Sequence, residues 1–412
     1  MPVPRGRRTT MAERPRRAAV NRRHFVAGSA AALTGVSLAG CATASPSRRV
    51  EDVGASVEPF YGRHQGGVAT VPQAHAQFVG LDLVPPPGRN ARDALGAVLR
   101  LWTSDAERLT QGRPALADTE PELAAQPARL TVTVGLGASA FDRAGLNHTR
   151  PATLSELPPF GTDELDPRWC GGDLLLQLCA DDPVALAHAG RVMLKSVRSM
   201  TRQRWRQRGF RNAHGVGRPG GSMRNLMGQV DGTANLREDA EFERLVWDDG
   251  ADQRWFAGGT VLVLRRIRAE MDTWDELSRD AKELVVGRRL DTGAPLTGQK
   301  ETDAPDFGAQ VGGIPVIAPN SHIALAHPRS DGERFLRRPY NYDDPPAAGA
   351  TTDSGLLFAT YQRNPATQFV PVQERLAAAD GLNPWITTIG SASFAILPGV
   401  QPGQTLGEAL LA

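Results

Sequence analysis

Cysteine is scarce: the 412 residues hold three, Cys41, Cys170 and Cys179. Their spacing fits neither a zinc nor an iron–sulfur pattern. Cys170 and Cys179 stand nine apart, as a disulfide pair in an oxidising compartment or, for Cys179 in the apolar run DLLLQLC, as a buried thiol. Histidine numbers eight, with no pair at H-x-x-x-H spacing, which argues against a two-histidine metal site on one helix face. The glycine-rich loop at 215–221 lacks the Lys-Ser/Thr that a phosphate loop requires. Gly135-Leu136-Gly137-Ala138-Ser139-Ala140 fits G-x-G-x-x-A, but Gly145, Pro151 and Pro158-Pro159 cut short the helix that a dinucleotide site needs, so an NAD-linked enzyme rests on this fingerprint alone.

Long apolar runs are also missing. The run Val26–Leu38 is uncharged but too short and too rich in Gly and Ala to span a membrane well. The basic excess is local: residues 1–44 hold eight arginines against Glu13, so the net +2 of the whole chain becomes about −5 without them. This argues against nucleic-acid binding. Arg22-Arg23-His24-Phe25-Val26 resembles a twin-arginine signal, and the following LAGCATAS offers two processing sites. One is a lipoprotein-like box ending at Cys41, which would place a lipid anchor there; the other is A-x-A cleavage after Ala44. Either way the expectation is export in folded form by the twin-arginine machinery. The mature protein is then extracellular, periplasmic or lipid-anchored to the outer face of the cell membrane.

What is present divides into a flexible linker at 45–58 and two similar halves, 59–214 and 215–412. Hydrophobic periodicity predicts strands at His75–Leu83, Leu130–Leu136, Asp173–Cys179 and 203–211, with helices at Ala91–Leu109 and Pro183–Met200. The second half repeats the order. It has a strand at Thr260–Arg268, a helix at Thr273–Val286, apolar segments at His322–Ala326 and Gly355–Arg363 in the middle strand positions, a helix at Ala366–Ala379 and a strand at Ala392–Leu397. Both halves read β-α-β-β-α-β. The expected class is α+β, a duplicated ferredoxin-like fold with antiparallel sheets and helices on one face of each.

Two histidines lie close together, in SHIALAHPRSDGERFLRRPYNYD. Five residues apart, His322 and His327 point in different directions on either a strand or a helix, so they do not share a metal. A single histidine suffices as an axial haem ligand in an apolar pocket. The motifs GQVDGTAN, SHIALAHPR, LRRPYNY and GLLFATYQ, with FYGRHQGGVAT and the WD…VVGRRLDTGAPL stretch, resemble in matching order the dye-decolourising haem peroxidases, particularly their twin-arginine-exported bacterial members. They also resemble the iron-uptake-associated deferrochelatase members. The resemblance spans about residues 60–400 and implies haem b held mainly by the second half.

Carried over residue by residue, the resemblance makes Asp231 the distal acid, with Gly232, Thr233 and Ala234 touching haem, and His322 the axial iron ligand. His327, Pro328 and Arg329 fall at the porphyrin edge, Arg329 opposite a propionate. Arg337, or its neighbour Arg338, is the distal cation; on a strand only one of them faces the site. Leu357 and Phe358 confine peroxide, or are ordinary core. The chemistry asks for these residue types. A base moves a proton between the two peroxide oxygens, and a cation stabilises the charge that develops as the O–O bond breaks. Arginine, always protonated, does not serve as the base. The implied partners are hydrogen peroxide and a one-electron donor such as a dye or phenol. Tyr340, Tyr342, Tyr361, Trp255 and Trp385 are candidate relays to the surface, or core residues. The alternative function is haem or iron handling in an uptake system.

Overall fold

The computed structural model describes residues 52–216 and 222–412. The twin-arginine segment, both processing sites and part of the glycine loop lie outside these residues. Order begins before the expected 59: Asp52 caps a short 3-10 helix at Val53–Ala55, and the Ala128 and Arg129 amides donate to the Gly54 and Ser56 carbonyls.

The first half runs β1 (His75–Leu83), α1 (Ala91–Leu109), β2 (Thr131–Leu136), β3 (Leu174–Ala180), α2 (Pro183–Val197) and β4 (Thr201–Phe210). Local chemistry sets the helix starts. The Asn90 side chain accepts from Asp93 N at 2.8 Å, and Asp182, followed by Pro183, accepts from Ala185 N at 2.9 Å. On α1, Leu95, Val98, Leu99, Trp102, Ala106 and Leu109 recur at helical spacing and are buried. The fingerprint-like glycines lead only into a helix at Ala138–Ala144, stopped by Gly145 in left-handed conformation.

The second half repeats the plan with β5 (Thr260–Ala269), α3 (Arg279–Val286), α4 (His322–Ala326), β6 (Tyr340–Asp344), β7 (Asp353–Gln362), α5 (Phe369–Ala379) and β8 (Ile386–Ile396). Three expectations change here. His322–Ala326 is a helix, not a strand, and β6 takes the strand position. The helix expected over Thr273–Val286 is two, Met271–Asp275 and α3, because extended Ser278 caps α3 by accepting from Ala281 N. The last strand begins six residues before the expected Ala392.

The sheet orders β4-β1-β3-β2 and β6-β7-β5-β8 correspond strand for strand, and all pairs are antiparallel. The two sheets are not separate. Asn341 pairs with Phe210, and Ala395 and Ile396 pair with Leu136 and Gly135, so the eight strands close into a ring. Inward-facing residues of both halves, among them Phe78, Leu175, Trp205, Leu264, Tyr340 and Phe394, form one core inside it. A second core lies under α1 and α2, and a third, with Val263 and Phe369, lies under α5 on the outer face of the second sheet. Cys170 and Cys179 are free thiols, not a disulfide; Cys179 is buried on β3.

Candidate active site

Asp231 belongs to a small ribbon in which Met223–Arg224 pairs with Val230–Asp231, Met223 lying opposite Asp231. Asn225 closes its turn, donating N–H to Gln229 O and accepting from Gln229 N through Oδ1. Gly232 follows at φ +126°, a conformation that favours glycine, and it redirects the chain immediately after the acid. Beyond it, Thr233 Oγ1 and Ser222 Oγ both donate to Glu301 Oε1, at 2.9 and 2.5 Å. The turn itself runs from Gly232 to Asn235, whose N–H donates to Gly232 O, so Asp231 ends a strand and the glycine opens the turn.

Arg337 reaches this turn from a two-residue strand, Leu336–Arg337, paired to β7 with Arg337 opposite Thr360. Its Nη1 donates to Asp231 Oδ1 at 3.4 Å. Its main chain is held by Asn235, whose Nδ2 donates to Arg337 O at 2.6 Å and whose Oδ1 accepts from Arg337 N at 2.8 Å. Strand alternation sends the two arginines to opposite faces, and Arg337 is the one that meets Asp231. Arg338 points inside the ring, buried, and donates to Thr70 O and Gln73 Oε1, so the early GGVAT segment serves the arginine next to the site. Arg288, partly buried, donates Nη1 to Gly293 O and Glu301 O; burial pulls its pKa down, partly offset by Glu301, with Arg337 pushing further down.

His322 is the first residue of α4, after Asn320 and Ser321. Gly287, at φ +88° after α3, lets this helix approach: a Cβ there would lie 2.7 Å from Ile323 Cγ1. Asp380 ends α5, which packs on α4, and its buried Oδ2 lies 2.6 Å from His322 Nδ1. Leu382 N donates to Asp380 Oδ1 and holds the carboxylate. Burial is the largest influence on the imidazole and lowers its pKa. The charge and hydrogen bond of Asp380, with a contribution from Asp231, outweigh burial, so the net shift is upward. The positive charge of Arg337 acts on the same ring in the opposite sense. A third of the His322 side-chain area stays accessible, so the ring remains open to a ligand on the side away from Asp380.

His327 does not join this group. It caps α4, and its ring meets Phe307 edge-on at 5.2 Å beside a cavity of about 340 Å3 lined also by Ile317, Ala324, Pro328 and Arg329. Leu357 is fully buried inside the ring, which corrects its placement at the site. Phe358, alternate to it, shares the outer face with Thr360 and Arg337 and packs near Phe369. Tyr340, Tyr342 and Tyr361 are core, Trp255 packs on Phe141 and Phe256, and Trp385 meets Trp274 edge-on at 5.6 Å. Sequence reasoning missed Asp380, Asn235 and Glu301. Asp380 carried only a turn signal, Asp-Gly after an amphipathic helix. Asn235 stood inside a quoted motif with no role assigned.

Comparisons with known proteins identify the family. The family "Dyp-type peroxidase, N-terminal" matches residues 65–211, and "Dyp-type peroxidase, C-terminal" matches 222–401. A dye-decolorizing peroxidase of Thermobifida fusca is 42% identical over 359 residues, covering 84% of this chain and 83% of that protein. A deferrochelatase of Escherichia coli is 35% identical over 389 residues, covering 90% and 89%. The crystal structure of a DyP-type peroxidase from Cellulomonas bogoriensis superposes with a TM-score of 0.84 at 52% identity, covering 87% of this chain and 99% of that one. With both halves matched in order and a relative 42% identical over most of both chains, the chain belongs to the Dyp-type peroxidase family.

Proposed function

We propose that this peroxidase works with haem b, that His322 ligates the iron, and that Asp231 and Arg337 activate hydrogen peroxide. The observation that carries the reading is the buried Asp380 carboxylate 2.6 Å from His322 Nδ1, the support a ligating imidazole needs, beside which stands the Asp231–Arg337 pair at 3.4 Å. The donor set fits haem. Asp380 engages Nδ1, which leaves Nε2 to ligate, and none of the described residues hydrogen-bonds to Nε2. Haem supplies the iron at which peroxide is reduced and holds the oxidising equivalents passed to the donor. Asp231 takes the proton of one peroxide oxygen and returns it to the other, while Arg337 stabilises the charge on the departing oxygen. Asp380 fixes the His322 tautomer and increases its basicity. Gly232, Thr233 and Ala234 form the wall beside Asp231. Phe358 narrows the peroxide side, and exposed Arg329, with His327 and Pro328, meets a propionate. Two molecules of a phenol, dye or other one-electron donor complete each turnover.

The test is the stopped-flow rate of Soret change on adding peroxide, with haem occupancy matched. Asp231→Asn slows it by about 10² to 10⁴. Arg337→Leu slows the same step, and the double variant loses less than the product of the two. A wild-type rate in Asp231→Asn, with Arg337→Leu slow, returns Asp231 to a turn residue and moves activation to the arginine.

The 35% identity to a deferrochelatase supports a second reading, haem or iron handling in an uptake system. Iron release from haem without peroxide consumption would favour it. The arginine-rich start supports export by the twin-arginine route, to an extracellular, periplasmic or Cys41-anchored location. Mass spectrometry of the mature N-terminus separates lipidation at Cys41 from cleavage after Ala44.

A further inference from the structure

We infer that Asn235 is a positioning residue which sets Arg337 against Asp231 by completing the free edge of the strand that carries the arginine. The inference rests on the peroxide-activating role of Arg337 proposed above. Leu336–Arg337 is paired on one side only, to β7, where Arg338 N donates to Ala359 O at 2.8 Å. In an antiparallel strand the N–H and C=O of one residue point to the same side, alternating along the chain. Those of Arg337 therefore point away from β7, to an edge where no strand among the described residues follows. The Asn235 side-chain amide occupies that edge. Nδ2 donates to Arg337 O at 2.6 Å and Oδ1 accepts from Arg337 N at 2.8 Å, so one amide satisfies both groups as a neighbouring peptide would.

This amide lies four residues after Asp231, beyond Gly232 at φ +126° and Thr233, which is tied to Glu301 at 2.9 Å. One short loop thus grips the arginine twice, by its guanidinium through Asp231 and by its backbone through Asn235. The 3.4 Å contact between Asp231 and Arg337 depends on both ends of that loop. Aspartate cannot replace Asn235, because it presents an acceptor to the Arg337 carbonyl; glutamine is longer by one methylene and misplaces both bonds.

The experiment has two readouts. In the haem-free protein, exchange of the Arg337 amide is followed by NMR. It is protected in the wild type and exchanges at least about tenfold faster in Asn235→Ala, with Asn235→Asp between the two because one bond survives. In the haem-loaded protein, Asn235→Ala slows the peroxide reaction by about 10- to 100-fold, the scale expected of a misplaced group. The same substitution in an Arg337→Leu background costs nothing further. Unchanged Arg337 exchange, a wild-type peroxide rate in Asn235→Ala, or an equal loss in both backgrounds overturns the inference. If Asn235→Ala fails to fold, the Asn235→Asp rate in the two backgrounds decides by the same criterion. Should Arg337→Leu and Asp231→Asn themselves react at the wild-type rate, the role assigned to the pocket fails first. Slow Arg337→Leu with fast Asn235→Ala sinks only the inference about Asn235.

Discussion

Replacing Asp380 by asparagine removes one charge behind the proposed iron ligand and leaves the volume nearly unchanged. The carboxylate is about 1% exposed, lies 2.6 Å from His322 Nδ1 and is held by Leu382 N at 2.9 Å. With the asparagine oxygen accepting from Nδ1 the tautomer survives, while the charge assistance is lost and the amide Nδ2, a donor, can no longer accept from Leu382 N. A hydrogen bond to a charged group contributes about 1.5–3 kcal/mol. At about 1.4 kcal/mol per decade this is a roughly 10- to 150-fold weaker haem affinity, in line with the effect of losing a ligand's supporting carboxylate. The assay is titration of haem-free protein with haem at pH 7, read by Soret absorbance, together with the ferric/ferrous potential, which rises as the imidazole becomes a weaker donor. Wild-type affinity and potential in Asp380→Asn would refute the coupling of Asp380 to the iron ligand.

The same pair gives a pH dependence in the haem-free protein. The folded His322 pKa is raised, so its contribution to stability is fully present below about 6.5, the unfolded value, and is lost as pH rises through the folded one. The difference in urea midpoint between wild type and Asp380→Asn is therefore larger at pH 5.5 than at pH 9; a difference that grows toward pH 9 contradicts the shift. His322→Ala loses haem whereas His327→Ala keeps it, since the His327 ring lies against Phe307 while His322 meets Asp380; equal haem contents in the two variants reject that assignment. Leu357→Ala lowers unfolding stability by about 2–5 kcal/mol with little effect on the peroxide rate, as an interior ring residue should. Phe358→Ala changes the peroxide rate more than Leu357→Ala does, and the reverse order returns Leu357 to the peroxide side.

The sequence by itself determined much of the local structure, because periodicity and caps are short-range. His75–Leu83 and Ala91–Leu109 form where alternation and 3.6-residue spacing place them, and the β-α-β-β-α-β order recurs in both halves. Its motifs GQVDGTAN, SHIALAHPR and LRRPYNY also singled out Asp231, His322 and the pair Arg337–Arg338, through their resemblance to a known family. His322–Ala326 was misread as a strand because a five-residue apolar segment carries too little periodicity to separate helix from strand. The tertiary structure alone decided what depends on residues far apart in the chain. Closure of the ring joins Phe210 to Asn341 and Leu136 to Ala395. Asp380 reaches His322 across 58 residues, and Asn235 reaches Arg337 across 102. That Arg337 rather than Arg338 meets Asp231, and that Leu357 rather than Phe358 faces the interior, followed from which face of the sheet looks into the ring. No local signal encodes that, because alternation fixes that two neighbours part company but not which of them meets the core.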